Sequence, residues 1–151
     1  MTLRSVSVLA GAAWLMLDPG ALQAQKGIEG GVHAMVTFAD YNAGRAGLHL
    51  SLRPGGRTRF TLSASPGIIE EEFTFRGEST AQFMLNPASR RVGFYAGGGL
   101  AGVVGAIEEA YLLLVIGLES RPGGASGWVI EGGIGGGVRL LVGYRWRRLK
   151  R

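Results

Sequence analysis

The sequence predicts an all-β fold, an eight-stranded antiparallel up-and-down (meander) β-barrel. Three observations carry this. Apolar and polar residues alternate with period two over long stretches, turn residues punctuate the chain at intervals suited to hairpins, and glycine is frequent at 27 of 151 residues against a usual share of ~7%. Successive side chains of a strand point to opposite faces, so period two gives each strand one apolar and one polar side. Glycine is costly in helices and is scattered here through apolar runs without a collagen period.

The pattern is sharpest in GRAGLHLSLRPGGRTRFTLSAS, residues 44–65. Ala46, Leu48, Leu50 and Leu52 alternate with Arg45, His49, Ser51 and Arg53; Thr58, Phe60, Leu62 and Ala64 alternate with Arg57, Arg59, Thr61 and Ser63. Pro54-Gly55-Gly56 reads as a three-residue hairpin loop, which places Arg53 opposite Arg57 and His49 opposite Thr61. The remaining elements follow in order. Strand one is Ile28 to Ala39, ending in the turn Asp40-Tyr41-Asn42, whose three-residue reading puts Glu29 opposite Arg53, His33 opposite His49 and Thr37 opposite Arg45. After Ser65 a loop runs from Pro66 through Glu70, Glu71 and Glu72. Strand four, Phe73 to Leu85, sets Thr74, Arg76, Glu78, Thr80, Gln82 and Met84 against Phe73, Phe75, Gly77, Ser79, Ala81 and Phe83. Strand five (Val92 to Val104) is apolar on both sides and Gly-rich, strand six (Tyr111 to Leu118) is almost wholly apolar, and strand seven is Trp128 to Ile134. Strand eight, Val138 to Trp146, restores the alternation with Arg139 and Arg145 on its polar side. The alternative for Val92 to Leu118 is a pair of helices with Gly98 and Gly102 in small-xxx-small spacing; neither half offers the ~20 apolar residues of a spanning helix.

Residues 1–24 read as a signal peptide: Arg4, the apolar stretch Val6 to Leu17, the breaker Asp18-Pro19-Gly20, and cleavage after Ala24. The barrel is then 25–146, and 147–151 is a basic C-terminal tail. Cysteine is absent, which excludes thiol catalysis and cysteine metal sites. The net charge of +5 raises nucleic acid as a partner, but the arginines stand singly on strand faces and at turns, so no nucleic-acid role is expected.

Alternation leaves open which face is inside. Three features point the apolar face outward, into a membrane. The polar face is rich in Arg, His, Thr, Ser, Glu and Gly and poor in Lys. The aromatics Phe60, Phe83, Phe94, Trp128, Tyr144 and Trp146 gather near the end with the termini, and Phe38 and Phe73 near the other, as two girdles. Asp40, Glu70, Glu71, Glu72, Glu108 and Glu109 fall at one end; Lys26, Arg53, Arg57, Arg90, Arg91, Arg121, Arg147, Arg148, Lys150 and Arg151 fall at the other.

With these residues placed, the chain resembles the small eight-stranded outer-membrane barrels of the OmpA/OmpX type. The likeness covers residues 25–146 and includes a final strand, Leu141-Val142-Gly143-Tyr144-Arg145-Trp146, that ends on an aromatic. It departs in the basic tail, where that family commonly stops at the aromatic, and in short loops at the acidic end. The resemblance implies a transmembrane barrel in the cell outer membrane, with outer-membrane lipids and the assembly machinery as partners.

Glu29, His33, Arg45, His49, Arg53, Arg59, Arg76, Glu78, Arg139 and Arg145 would then form a network inside a lumen just wide enough for side chains. His33 and His49 could instead ligate a metal, and the acidic loop cluster could bind divalent cations, but no fitting carboxylate completes a metal site. Gly97-Gly98-Gly99 and Gly135-Gly136-Gly137 lack the Lys-Ser/Thr of a phosphate cradle. No catalytic constellation assembles, and neither enzyme activity nor a cofactor is expected. The functional expectation is an outer-membrane barrel with a structural or envelope-related role and a packed polar lumen. The alternatives are a soluble periplasmic barrel binding an apolar ligand and a narrow channel.

Overall fold

The computed structural model describes residues 27–147, which form eight strands closed into a single antiparallel barrel in which each strand pairs with its sequence neighbours and β1 pairs with β8. The strands are β1 (Gly27–Phe38), β2 (Ala43–Gly55), β3 (Thr58–Ile69), β4 (Glu72–Met84), β5 (Val92–Gly105), β6 (Glu109–Ser120), β7 (Ser126–Ile134) and β8 (Val138–Arg147). The expected signal peptide and the tail residues 148–151 lie outside the described residues.

The apolar faces point out. Leu48, Leu50 and Leu62 are 64%, 57% and 61% exposed, while their neighbours in sequence turn into a lumen lined by buried Arg, Glu, Ser and Thr. An apolar interior, which the soluble ligand-binding alternative requires, is therefore not what these strands build. The helical alternative for Val92 to Leu118 is also overturned, because β5 and β6 pair continuously from Val92↔Ser120 to Val103↔Glu109. These strands lack visible alternation because they line the lumen with apolar groups, among them Ala101, Val103, Leu113, Val115 and Val129.

Three turns differ from the sequence reading. Between β1 and β2 the last pair is Thr37↔Ala43, so the connection is two residues longer than expected and Glu29 faces Ser51, His33 faces Gly47 and Met35 faces Arg45. Between β2 and β3, Pro54 and Gly55 stay in the strand and the chain reverses at Gly56-Arg57, with an irregularity between Leu52 and Gly55. His49 consequently faces Ser63 rather than Thr61. The reason is electrostatic as well as geometric: the expected Arg53–Arg57 pairing would set like charges opposite each other, whereas here Arg53 is buried in the lumen and Arg57 stays exposed. Between β3 and β4, residues 66–69 belong to β3, and Glu70-Glu71 alone make the turn. Both residues take positive φ, 47° and 72°, as a turn matched to strand twist requires.

Glycine stands on both faces of the wall. Inward glycines make room for large lumen side chains: a Cβ on Gly117 would strike the Tyr95 ring, one on Gly31 the His49 ring, and one on Gly67 the Arg45 side chain. On the outer face, Gly44, Gly77 and Gly102 have nothing within 4 Å of a Cβ. Replacing Gly117 by Ala is expected to destabilise the barrel by about 1–3 kcal/mol through overpacking. Replacing Gly102 by Ala is expected to stabilise it by about 0.4–1 kcal/mol through the unfolded chain. Urea unfolding of the two variants beside the parent checks this; equal effects of the same sign would contradict the assignment of the two faces.

Candidate functional site

The site is the lumen, because that is where the chain buries its charges. Period two sends every second residue of β1 to β4 and of β8 inward, and inward positions are where the sequence keeps its strand arginines and acids. Of the ten residues the sequence places in a lumen network, Glu29, His33, Arg45, Arg53, Arg59, Arg76, Glu78, Arg139 and Arg145 are buried and His49 is partly buried. Three further charged residues join them: Glu119, Glu131 and Arg147. Arg147 closes β8 and points into the lumen rather than opening a tail.

At the end that holds the termini, two carboxylates gather four arginines. Glu29 of β1 takes Arg53 Nε at 2.7 Å and, from the far side of the closing seam, Arg147 Nε at 2.6 Å. Glu119 of β6 is reached across the lumen by Arg53 at 2.8 Å, Arg59 at 2.6 Å and Arg145 at 3.1 Å. Arg145 also donates to the carbonyls of Ser120 and Arg121, and Arg147 to that of Pro122.

Midway, Arg139 of β8 bridges Glu78, at 2.6 Å, and Glu131. Glu78 also accepts from Arg76 Nε at 2.7 Å. Glu131 in turn accepts from Tyr95 Oη at 2.9 Å and Gln82 Nε2 at 3.1 Å, and the Arg59 guanidinium lies 4.5 Å from the Tyr95 ring centroid. His33 and His49 are not directly opposed, yet their rings come within 5.7 Å because the two-residue register shift makes them diagonal neighbours. His33 Nε2 is hydrogen-bonded to Ser65 Oγ at 2.7 Å. Toward the far end, Arg45 has a thinner set of contacts, with Nη2 at 3.4 Å from Thr74 Oγ1.

A cavity of about 40 Å³ lies inside the network, lined by Glu29, His33, His49, Arg59, Glu131, Arg139 and Arg145 among others. The network and its packing leave space for a few waters and for nothing the size of a metabolite.

On the outer face the expected aromatics take these positions: Phe38, Phe60, Phe73, Phe94, Trp128 and Trp146 are 49–67% exposed, and Phe83 and Tyr144 are partly exposed. Trp128 and Tyr144 pack edge to face with centroids 5.2 Å apart. The acidic cluster Asp40, Glu70, Glu71, Glu72, Glu108 and Glu109 is exposed around one rim. There Tyr41 donates to Glu109 at 3.2 Å, and desolvation at the rim together with that carboxylate raises the tyrosine hydroxyl above its ordinary pKa. At the opposite rim Arg57, Arg90, Arg91 and Arg121 are exposed, whereas Arg53 and Arg147 leave that surface for the lumen.

No protein-family model matches the chain, and no curated protein sequence matches it. Among solved structures, the crystal structure of the N-terminal β-barrel domain of Pseudomonas aeruginosa OprF is similar with a TM-score of 0.62. The likeness covers 82% of this chain and 100% of that one at 12% sequence identity. The fold is that of a small outer-membrane-type barrel. At this identity the likeness lies in strand number, closure and meander order, so the lumen must be read from this chain's own residues.

Glu119 and Glu131 escape a reading based on alternation because their strands do not alternate. The signal for them is charge balance: the lumen arginines expected from sequence outnumber Glu29 and Glu78, and isolated acids within apolar strands are the natural partners. Replacing Glu119 by Gln leaves Arg53, Arg59 and Arg145 without their shared carboxylate and is expected to cost about 3–5 kcal/mol. Replacing exposed Glu70 by Gln is expected to stay within about 0.5 kcal/mol. Unfolding midpoints of the two variants check the contrast.

Proposed function

We propose that the chain is an outer-membrane β-barrel with a structural, envelope-related and non-enzymatic role, spanning the membrane with a packed polar lumen. The observation that carries this reading is the outer face. Among the described residues no outward-facing strand position is charged, and the polar ones are Thr58, Ser79, Ser120, Ser126 and Tyr144. In water such a surface would be a very large exposed apolar patch. In a bilayer it is the face that lipid requires, with each strand paired on both sides because the barrel has no edge.

The rims support the same reading. The aromatics sit toward the two ends of the apolar band, where amphipathic rings favour the headgroup level. Exposed charge is confined to the ends and sorted by sign, acidic at one and basic at the other. Outer-membrane lipids are then the principal partners, and the aromatic-ended β8 is the segment offered to the assembly machinery.

A packed rather than conducting lumen is supported by Arg139, which ties Glu78 of β4 to Glu131 of β7 through the interior. The short turns at the acidic end offer little surface for an adhesin. Catalysis finds no support in the lumen, where the arginine and carboxylate groups are spent on one another.

The chain from Gln25 is expected to refold in detergent to a β-rich form whose electrophoretic mobility changes on boiling. A monodisperse β-rich protein in plain buffer would overturn the membrane reading. Leu50→Arg puts a charge on the middle of the outer face and is expected to cost about 2–4 kcal/mol of membrane stability. Fractionation should show this variant lost from the membrane, while Arg57→Gln at the rim remains there.

A further inference from the structure

The buried charges of the lumen do not cancel: among the described residues seven buried arginines face four buried glutamates. Apart from Arg45, which lies beside Thr74 toward the far end, the imbalance has a location. In the middle of the barrel Arg76 and Arg139 are matched by Glu78 and Glu131. Near the termini Arg53, Arg59, Arg145 and Arg147 share, among the described residues, the carboxylates of Glu29 and Glu119. Carbonyl oxygens of Ser120, Arg121 and Pro122 absorb hydrogen bonds there but supply no negative charge. Uncompensated buried charge is expensive, and more so inside a wall surrounded by apolar side chains.

The lumen cavity of about 40 Å³ borders this cluster, with Arg59, Arg145, His49, Ser51 and Thr61 in its lining. Arg145 is 1% exposed, and its Nη1 has no hydrogen-bond partner. Ser51 Oγ and Thr61 Oγ1 are 2.8 Å apart. One of those hydroxyls donates to the other, which leaves one hydroxyl hydrogen free to turn into the cavity. At roughly 10–15 Å³ for each water, the space holds about three waters, or one monatomic anion with some of its hydration. Glu29, Glu78 and Glu131 also border it, but Arg53 and Arg147 already occupy the first of these carboxylates, and Arg76 and Arg139 the other two.

We propose that the lumen binds one small monovalent anion, of halide size, at this cationic floor, with Arg145, Arg59 and the Ser51–Thr61 hydroxyl pair as its donors. The anion offsets part of the surplus positive charge and makes it a resident component of the folded barrel rather than a transported species. Because the site is built from lumen residues alone, it stands or falls separately from the membrane reading, and the medium that folds the chain is the medium in which to test it.

The test compares thermal unfolding of the refolded chain in chloride and in gluconate, an anion too large for the cavity, at equal ionic strength. Linkage predicts a melting temperature that climbs with chloride by ~3–5 °C per tenfold increase once the site is titrating, and a flat response to gluconate. Crystals grown in bromide should show an anomalous peak in the cavity beside Arg145. Arg145→Gln removes one surplus charge and should abolish the chloride dependence, while Arg57→Gln at the exposed rim should keep it. Identical melting in the two salts with no bromide peak overturns the proposal, as does a chloride response that survives in Arg145→Gln. Should Arg145→Gln fail to fold, the bromide density in the parent protein decides the question alone.

Discussion

Four buried carboxylates hold the interior of this barrel together, and most other features of the chain follow from having to place them. An eight-stranded barrel encloses a lumen only wide enough for side chains, so any charge turned inward is cut off from bulk water and must find a partner there. Glu29 joins β1 to β2 and β8 across the closing seam. Glu119 joins β6 to β2, β3 and β8. Through Arg139, Glu78 and Glu131 join β4 and β7 to β8. Glu119 and Glu78 thus connect strands that are not hydrogen-bonded neighbours, while Glu29 and Glu131 tie neighbouring strands, so the network and the sheet reinforce each other. A slip of one residue in any strand would turn these charges to the apolar outside and the leucines to the inside, which makes the register of the whole barrel depend on the buried ion pairs.

The same constraint explains the glycines. Large inward side chains need space that the opposing strand must surrender, and the inward positions beside Tyr95, His49 and Arg45 are Gly117, Gly31 and Gly67. A wall of β-branched residues would give stronger strands but no room for guanidinium groups. The weakness of glycine in a strand is offset by closure, since every strand has two neighbours and none is an edge. The outer glycines beside empty space answer to no such need, and the structure gives no physical reason for them.

Fold class, strand number and the facing of β1 to β4 and β8 were legible because a strand with one apolar and one polar side writes its geometry directly into the sequence. β5 to β7 were harder: where the lumen lining itself is Ala101, Val103, Leu113, Val115 and Val129, the inner and outer faces are chemically alike and period two vanishes. Glu119 and Glu131 disappeared from view with it. Hairpin registers were legible to within two residues, since a shift of two preserves the face and so leaves the hydrophobic pattern unchanged; only turn conformation decides between such registers. Pro54 misled because proline favours turns, although here it lies within β2 beside the bulge, two residues before the reversal. Arg147 misled because an arginine near a strand end looks like a rim charge, and Arg53, rightly placed in the lumen, reads as a rim charge as well; a long side chain at the last inward position still reaches the lumen.

The two rims separate what the barrel can offer to its surroundings from what it keeps. At the acidic rim the β3–β4 turn is only Glu70-Glu71, and the β7–β8 turn is three glycines, so side chains there ring the barrel mouth instead of forming loops that could enclose a partner. The terminus end presents exposed Arg57, Arg90, Arg91 and Arg121, while the acids nearest to them, Glu29 and Glu119, are turned inward. Sorting of this kind cannot come from fold stability alone, because exposed ion pairs within one rim would contribute about as little as none. It does set up a field along the barrel axis, which in the proposed membrane setting would draw anionic headgroups to the arginine rim at about 1 kcal/mol per basic residue near such a surface. The buried network fixes the wall, and under the proposed membrane reading the rims set which way that wall stands.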